Sequence, residues 1–294
     1  TPVSALRGPR PGPLDDGAHL PSVYHGLVDR QSIRTHRIAV VLVAGAGALW
    51  GTLGIAAKGV FRAGLSPLGA ALWRAGGAFL LLLLLALAAN RRVLRVRARD
   101  LPMFAAYGLI GVALFMTSYF TAIRLSTVAT AAMLLYTAPA WVTLLARLVF
   151  RESLSGRKVA AVLLTFTGSA LAVRAYDPAA LRVNLAGVLT GLAAGFTYAL
   201  YSIFGKGALG RYGPFTTLLY ALGFGTLFLA LALRRWPALP PAYALPTLLY
   251  LILVTTLLTH VLYTNGLRRI EAGRASIIAA VEPVVAALLG FLLL

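Results

Sequence analysis

Cysteine is absent from the 294 residues. No disulfide framework and no thiol chemistry are available to this chain. Charge is scarce too: Asp, Glu, Lys and Arg make up 12%, against about 25% in a soluble domain. Acids are the scarcest, with eight Asp and Glu against 27 Lys and Arg. There is no His-Glu-x-x-His zinc pattern and no pair of aspartates within an apolar run. That leaves a poor set for an intramembrane hydrolase, and no cofactor or metal is expected. None of the three asparagines (Asn90, Asn184, Asn265) lies in an Asn-x-Ser/Thr acceptor, which fits a bacterial inner membrane. Residues 1–37 hold five prolines and no apolar core. They do not read as a signal peptide and are expected to form a disordered cytoplasmic tail.

Apolar residues are what the chain has in excess. They make up 60% of it, and the mean hydropathy is +0.84. The pattern is that of an all-α polytopic membrane protein whose main partner is the lipid bilayer. Nine spans are expected, over 38–57, 67–89, 102–123, 127–149, 158–175, 185–205, 213–233, 245–267 and 274–294. Each approaches the ~20 residues that cross a ~30 Å hydrocarbon core at 1.5 Å per residue. Net charge is +19, but the basic residues sit between the apolar runs, so no nucleic-acid partner is inferred. Arg91, Arg92, Arg95, Arg97 and Arg99 crowd one inter-span segment, while Lys58, Arg62 and Arg124 are the only basic residues on the opposite side of the first half. The positive-inside rule then puts the N-terminus in the cytoplasm.

The chain repeats itself. Tyr119–Phe150 returns as Tyr263–Leu294 at an offset of 144, each copy with an Arg (Arg124, Arg268) before a polar break and a proline inside the next helix (Pro139, Pro283). Gly47, Trp50 and Lys58 align with Gly195, Tyr198 and Lys206, and Pro67, Trp73 and Gly76 with Pro214, Tyr220 and Gly223. The first copy, 38–180, has five spans. An odd number forces the second copy, 181–294, to enter the membrane inverted, as in many secondary transporters. The plan is therefore ten helices in inverted five-helix repeats. By the same alignment the second copy lacks its last helix.

Leu49-Trp50-Gly51, Lys58, Ser66-Pro67 and Arg74, then Tyr119 through Pro139 to Glu152 and Gly168, resemble one repeat of the EamA-type drug/metabolite transporters. Arg268, Arg274-Ala275-Ser276 and Glu282-Pro283 resemble the fourth helix of the second repeat. The resemblance runs from about Ile38 to Leu294. It implies a ten-helix exporter of small metabolites with both termini cytoplasmic, in a family whose members include amino-acid exporters.

Glu282 is the one carboxylate inside an expected span, on a face with Ala275, Ala279, Ala286 and Gly290. An acid at that depth is a functional hypothesis by default and would suit a proton-coupled step. The competing reading is a structural Glu bonded to a neighbouring helix. His260 shares a polar stripe with Thr256, Tyr263 and Thr264, and Asn265 lies nearby. These residues could line a midplane site for a polar solute, or simply bond helix to helix. Trp50, Tyr136, Tyr198 and Tyr201 lie deep in their spans and are candidate apolar walls for the solute, with core packing as the alternative. Pro139 and Pro283 are candidate hinges in equivalent helices. Lys58 and Lys206 are expected to snorkel, and Arg74 to reach the interface or pair with a buried carbonyl. Gly47, Gly51, Gly187, Gly191 and Gly195 allow close helix approach.

Taken together, these readings describe a secondary transporter exporting small metabolites, amino acids or related compounds foremost, by alternating access between two inverted halves. A proton is the candidate coupling ion. Phosphorylated or nucleotide-sugar solutes are the alternative within transport, but would need a cationic cavity that the basic residues, mostly flanking the spans, do not supply. An intramembrane enzyme is the alternative outside it.

Overall fold

The structure is a computed structural model and describes residues 22–172, 176–177, 184–233 and 236–293. It is all-α, with no strand among the described residues. The first repeat holds α1 (Ser22–Trp50), α2 (Leu53–Arg62), α3 (Pro67–Ala89), α4 (Leu101–Ala106), α5 (Phe115–Leu125), α6 (Val128–Leu135), α7 (Ala138–Phe150) and α8 (Gly156–Ala172). The second holds α9 (Leu185–Leu209), α10 (Pro214–Leu233), α11 (Leu245–Ile252), α12 (Thr259–Leu267), α13 (Ala272–Ala279) and α14 (Glu282–Leu293). Helix starts follow local chemistry. Ser66 caps α3 by accepting from the Gly69 N–H at 3.0 Å, with Pro67 in the first turn, and Thr127 and Asn184 cap α6 and α9 through the Thr130 and Gly187 N–H groups.

Among the described residues, seven helical stretches are long and apolar enough to cross a membrane: Arg34–Arg62, Pro67–Ala89, Ala98–Leu125, Thr130–Phe150, Leu185–Leu209, Pro214–Leu233 and Ala242–Leu267. Leu80, Leu84, Leu148, Leu189 and Leu231 are exposed on them, as side chains facing lipid tails would be. The other two of the nine expected spans differ for identifiable reasons. In the fifth, α8 is described only to Ala172 and residues 173–175 lie outside the described residues. In the ninth, the helix is interrupted between α13 and α14, leaving two pieces of 8 and 12 residues. The tail expected over 1–37 overlaps a helix in its second half. Helix α1 already starts at Ser22, while residues 1–21 lie outside the described residues.

Among the described residues, three helices are broken along their length: at Gly51-Thr52, at Tyr136-Thr137, and at Ala280-Val281. The last two precede Pro139 and Pro283, which sit in the first turns of α7 and α14. Proline has no N–H to give to the ladder, so the helix restarts there. The breaks are covered by glycine. A Cβ on Gly47 would stand 2.5 Å from the Ala279 carbonyl oxygen, and one on Gly195 would stand 2.5 Å from Thr137 Oγ1 and 3.0 Å from the Leu134 carbonyl oxygen. A Cβ on Gly51 would stand 2.8 Å from the Glu282 carbonyl oxygen. The two halves thus use the same device, with the first helix of each repeat pressed on the broken fourth helix of the other.

The third span of each repeat carries a π-helical segment, Tyr107–Leu114 and Leu253–Leu258. Subtracting 144 from the second places it inside the first, so this too is a repeated feature.

Candidate functional site

The broken helices converge on an aromatic chamber. Trp50 ends α1 immediately before its break, and its ring lies 5.5 Å from His260, 6.0 Å from Tyr198 and 5.3 Å from Tyr263. Tyr201 stacks along α9 with Tyr198 at 6.3 Å and meets His260 edge-on at 5.5 Å. Phe115 and Tyr119 of α5 close another wall, Phe115 at 5.3 Å from Tyr198. The space they enclose is lined by Trp50, Arg74, Tyr119, Tyr198, His260 and Glu282, among others, and has a volume of about 30 Å³. A second void of about 20 Å³ lies beyond Glu282, against Tyr136, Pro139, Tyr198 and Ser276. A water needs roughly 10–15 Å³ on this measure. Each void holds a water or two and no metabolite, so the chamber is shut in this state.

Glu282 begins α14 directly after the break, half-buried, and lines both voids. The interruption presents its side chain to the interior instead of to the next turn of a continuous helix. His260 is held by its Nδ1, 2.7 Å from the Thr256 carbonyl oxygen. A carbonyl only accepts, so Nδ1 carries a proton and Nε2 is left as the second ring nitrogen. Tyr263 is fully buried with its hydroxyl 2.9 Å from Ser202 Oγ, and supports Trp50 from behind. Asn265 is placed elsewhere: its Nδ2 donates to the Val261 carbonyl of its own helix at 2.8 Å, and it lines neither void. Of the eight residues singled out from sequence, Trp50, Tyr136, Tyr198, Tyr201, His260 and Glu282 line one void or the other.

Arg74 is a chamber residue that sequence reasoning placed at the interface or on a buried carbonyl. It is 4% exposed. Its Nε donates to Thr256 Oγ1 at 3.0 Å and its Nη2 to the Thr255 carbonyl at 3.3 Å. Both acceptors belong to the π segment of the eighth span, where the wider ladder leaves carbonyls and hydroxyls to other partners. The guanidinium also lies 5.4 Å from the Phe120 ring centroid. The signal was a charge inside an apolar run; what the sequence hides is a partner about 180 positions away.

Two open basins flank the chamber at opposite ends of the first span. One, about 660 Å³, is lined by Lys58, Arg62, Arg124, Ser126 and Thr127 among others. The other, about 630 Å³, is lined by His36, Glu152, Lys206, Arg268, Glu271 and Arg274 among others. Lys206 is not merely snorkelling. Its Nζ donates to the Leu267 and Ile270 carbonyls at 2.8 and 2.6 Å, capping the end of α12.

The sequence matches the EamA-like transporter family over residues 37–174 and 185–294. The chain belongs to the EamA-like transporter family. Its seven apolar helical stretches among the described residues make it a multi-pass membrane protein. Among curated relatives, an "uncharacterized inner membrane transporter YicL" of Salmonella typhimurium is 27% identical over 212 residues, 68% of this chain and 66% of that protein. An "uncharacterized transporter" of Archaeoglobus fulgidus is 29% identical over 187 residues, 62% of this chain and 66% of that protein. The matches thus span just under two thirds of the length of these two relatives. A solved crystal structure shares the fold with a TM-score of 0.69 at 21% identity, covering 86% of this chain and 87% of that one.

Proposed function

We propose that this EamA-family protein exports small metabolites, amino acids or related compounds foremost, across a bacterial inner membrane by alternating access. The observation that carries the reading is the shut chamber of about 30 Å³ between two open basins of about 660 and 630 Å³. A channel would join the basins through a continuous polar row; aromatic rings close this path instead. The solute enters from one basin, the helices part at their breaks beside Pro139 and Pro283, and the other end closes behind it. Aromatic walls favour a solute with an apolar part, and Arg74, His260 and Glu282 supply its polar contacts. The N-terminus is cytoplasmic in this reading, so the basin around Lys206 opens inward.

Coupling to a proton gradient falls to Glu282, the carboxyl group of the chamber. The groups around it are Arg74, Tyr119, Tyr136, Tyr198, Tyr201 and His260. Uptake into proteoliposomes tests both claims, with labelled amino acids, sugars and organic cations offered with and without a pH gradient. The expected result is saturable uptake of amino acids, enhanced by the gradient in the wild type and indifferent to it in Glu282→Gln. Uptake of other classes alone would remove the amino-acid assignment, and an undiminished gradient effect in the variant would remove Glu282 as proton carrier.

A further inference from the structure

We propose that the segment 90–99 is a seat for an anionic phospholipid, its arginines holding the headgroup phosphate while the acyl chains run along the exposed leucines of α3. This does not rest on the transport reading. Five of the ten residues are arginine: Arg91, Arg92, Arg95, Arg97 and Arg99. All five are exposed, and none forms an ion pair among the described residues. The acid beside them is already spent. Asp100 is 4% exposed and accepts from Arg211 Nη1 at 2.8 Å and from the Tyr212 hydroxyl at 2.5 Å. The countercharge for the arginines therefore comes from outside the described chain.

A loop needs only its charge to obey the positive-inside rule, and would obey it as well without fixed structure. This one is folded and pinned. It makes two 3-10 turns, Arg91–Leu94 and Ala98–Asp100. The Tyr220 hydroxyl donates to the Leu94 carbonyl at 2.8 Å, and the Arg97 N–H donates to the Tyr212 hydroxyl at 3.1 Å. Both tyrosines belong to the second half, Tyr220 in α10 and Tyr212 just before it. Val93, Leu94 and Val96 pack against the core. With its apolar side chains turned in, the segment carries its arginines outward on a backbone that is ordered before any ligand arrives.

The leucines decide between a lipid and a free phosphate. Leu80, Leu84 and Leu87 are 54, 54 and 42% exposed. They stand at i, i+4 and i+7 of α3, one apolar stripe that leads to the segment. Arg91 sits at the head of that stripe, its Nε donating to the Leu87 carbonyl at 3.3 Å. A guanidinium has five N–H groups in a fork that matches phosphate oxygens in pairs. An amphiphile with a phosphate head meets both parts, its chains on the leucines and its oxygens on the arginines. A free phosphate would leave the stripe unused. The arginine cluster is no echo of the repeat either: the matching connection of the second half, 234–244, has two arginines and three prolines.

Native mass spectrometry of the purified chain tests this without reference to transport. The protein is equilibrated in mixed micelles with equimolar phosphatidylglycerol and phosphatidylcholine of the same acyl chains, and the retained lipids are counted. Each basic residue near an anionic headgroup is worth about a fivefold preference. The wild type should therefore retain phosphatidylglycerol over phosphatidylcholine by roughly tenfold or more. Arg91→Gln/Arg92→Gln/Arg95→Gln should bring the two lipids close to parity. Arg34→Gln/Arg37→Gln, which removes exposed arginines outside the segment, should keep the wild-type ratio. Arg92→Gln alone, whose side chain makes no bond among the described residues, should lower the ratio by about fivefold, and it serves if the triple variant does not fold. Glycerol 1-phosphate, the same head chemistry without acyl chains, should not displace the lipid at millimolar concentration. Equal retention of the two lipids by the wild type would overturn the proposal. So would an unchanged ratio in Arg92→Gln, or an equal fall in the Arg34/Arg37 variant, which would reduce the preference to overall charge. Displacement by glycerol 1-phosphate would make the segment a site for free phosphate and overturn the lipid seat.

Discussion

Thr256 organises the polar chemistry of the chamber from one position. Its hydroxyl accepts from Arg74 Nε and donates to the Leu251 carbonyl at 2.7 Å, while its own carbonyl accepts from His260 Nδ1. All of these groups are buried or nearly so. Thr256→Val keeps the shape and deletes the acceptor, leaving the guanidinium with one less partner. Neutral bonds between membrane helices are worth only ~0.6 kcal/mol on average, but a bond to a charged group is worth about 1.5–3 kcal/mol. The variant should therefore lose about 1.5–3 kcal/mol of stability, read as a lower unfolding midpoint in detergent, and Thr256→Ser should recover most of it. Equal midpoints for wild type and Thr256→Val would mean that Arg74 is held by something other than this hydroxyl. Nothing in the local sequence marks Thr256 for this work. It stands out only once the π segment turns it toward a side chain from the second span.

At the scale of elements, apolar runs and helix-stop residues mark the long helices well, because a span must satisfy its backbone internally and be ~20 residues long. Breaks within spans are legible where proline causes them, as at Pro139 and Pro283. The break at Gly51-Thr52 has no proline, and the Glu282 carbonyl that Gly51 leaves room for is 231 positions away, so it is invisible in a linear reading. The π segments are equally silent: Leu253–Leu258 reads as an ordinary apolar stretch. The glycines give a controlled test of this packing. Gly47→Ala and Gly195→Ala would each drive a Cβ into backbone or a hydroxyl at 2.5 Å, whereas a Cβ on Gly207, also in α9, meets nothing within 4 Å. Overpacking costs about 1–3 kcal/mol, while Gly to Ala in an open helix position gains up to ~1 kcal/mol. Thermal unfolding should fall for the first two variants and hold or rise for Gly207→Ala. A drop of the same size at all three would deny the close approach any special role.

Across the whole molecule, the repeat between Tyr119–Phe150 and Tyr263–Leu294 announces two equivalent halves, but the halves are not latched equally. At the end near Lys206, Glu152 of the first half accepts from the Ala272 and Gly273 N–H groups at the start of α13, at 2.7 and 3.2 Å. Lys158 stands 3.8 Å from Glu152 and 3.1 Å from Glu271, and Arg274 holds Glu271 at 3.0 Å. A carboxylate on a helix N-terminus suits both the free N–H groups and the helix dipole. The basin at the other end is lined by Lys58, Arg62 and Arg124 and by no acid. Alternating access requires the Glu152 latch to release whenever its end opens. Glu152→Ala removes two charge-assisted bonds, each worth about 1.5–3 kcal/mol, and every 1.4 kcal/mol shifts a population tenfold. Because the chain has no cysteine, a single Ser276→Cys reports on that opening without background. Ser276 is 2% exposed and lies beside the void next to Glu282. A polar maleimide should label it slowly in the otherwise wild-type chain and at least tenfold faster with Glu152→Ala. Unchanged labelling would mean that the ends are held shut by helix packing, with the charges at Glu152 serving only to cap α13.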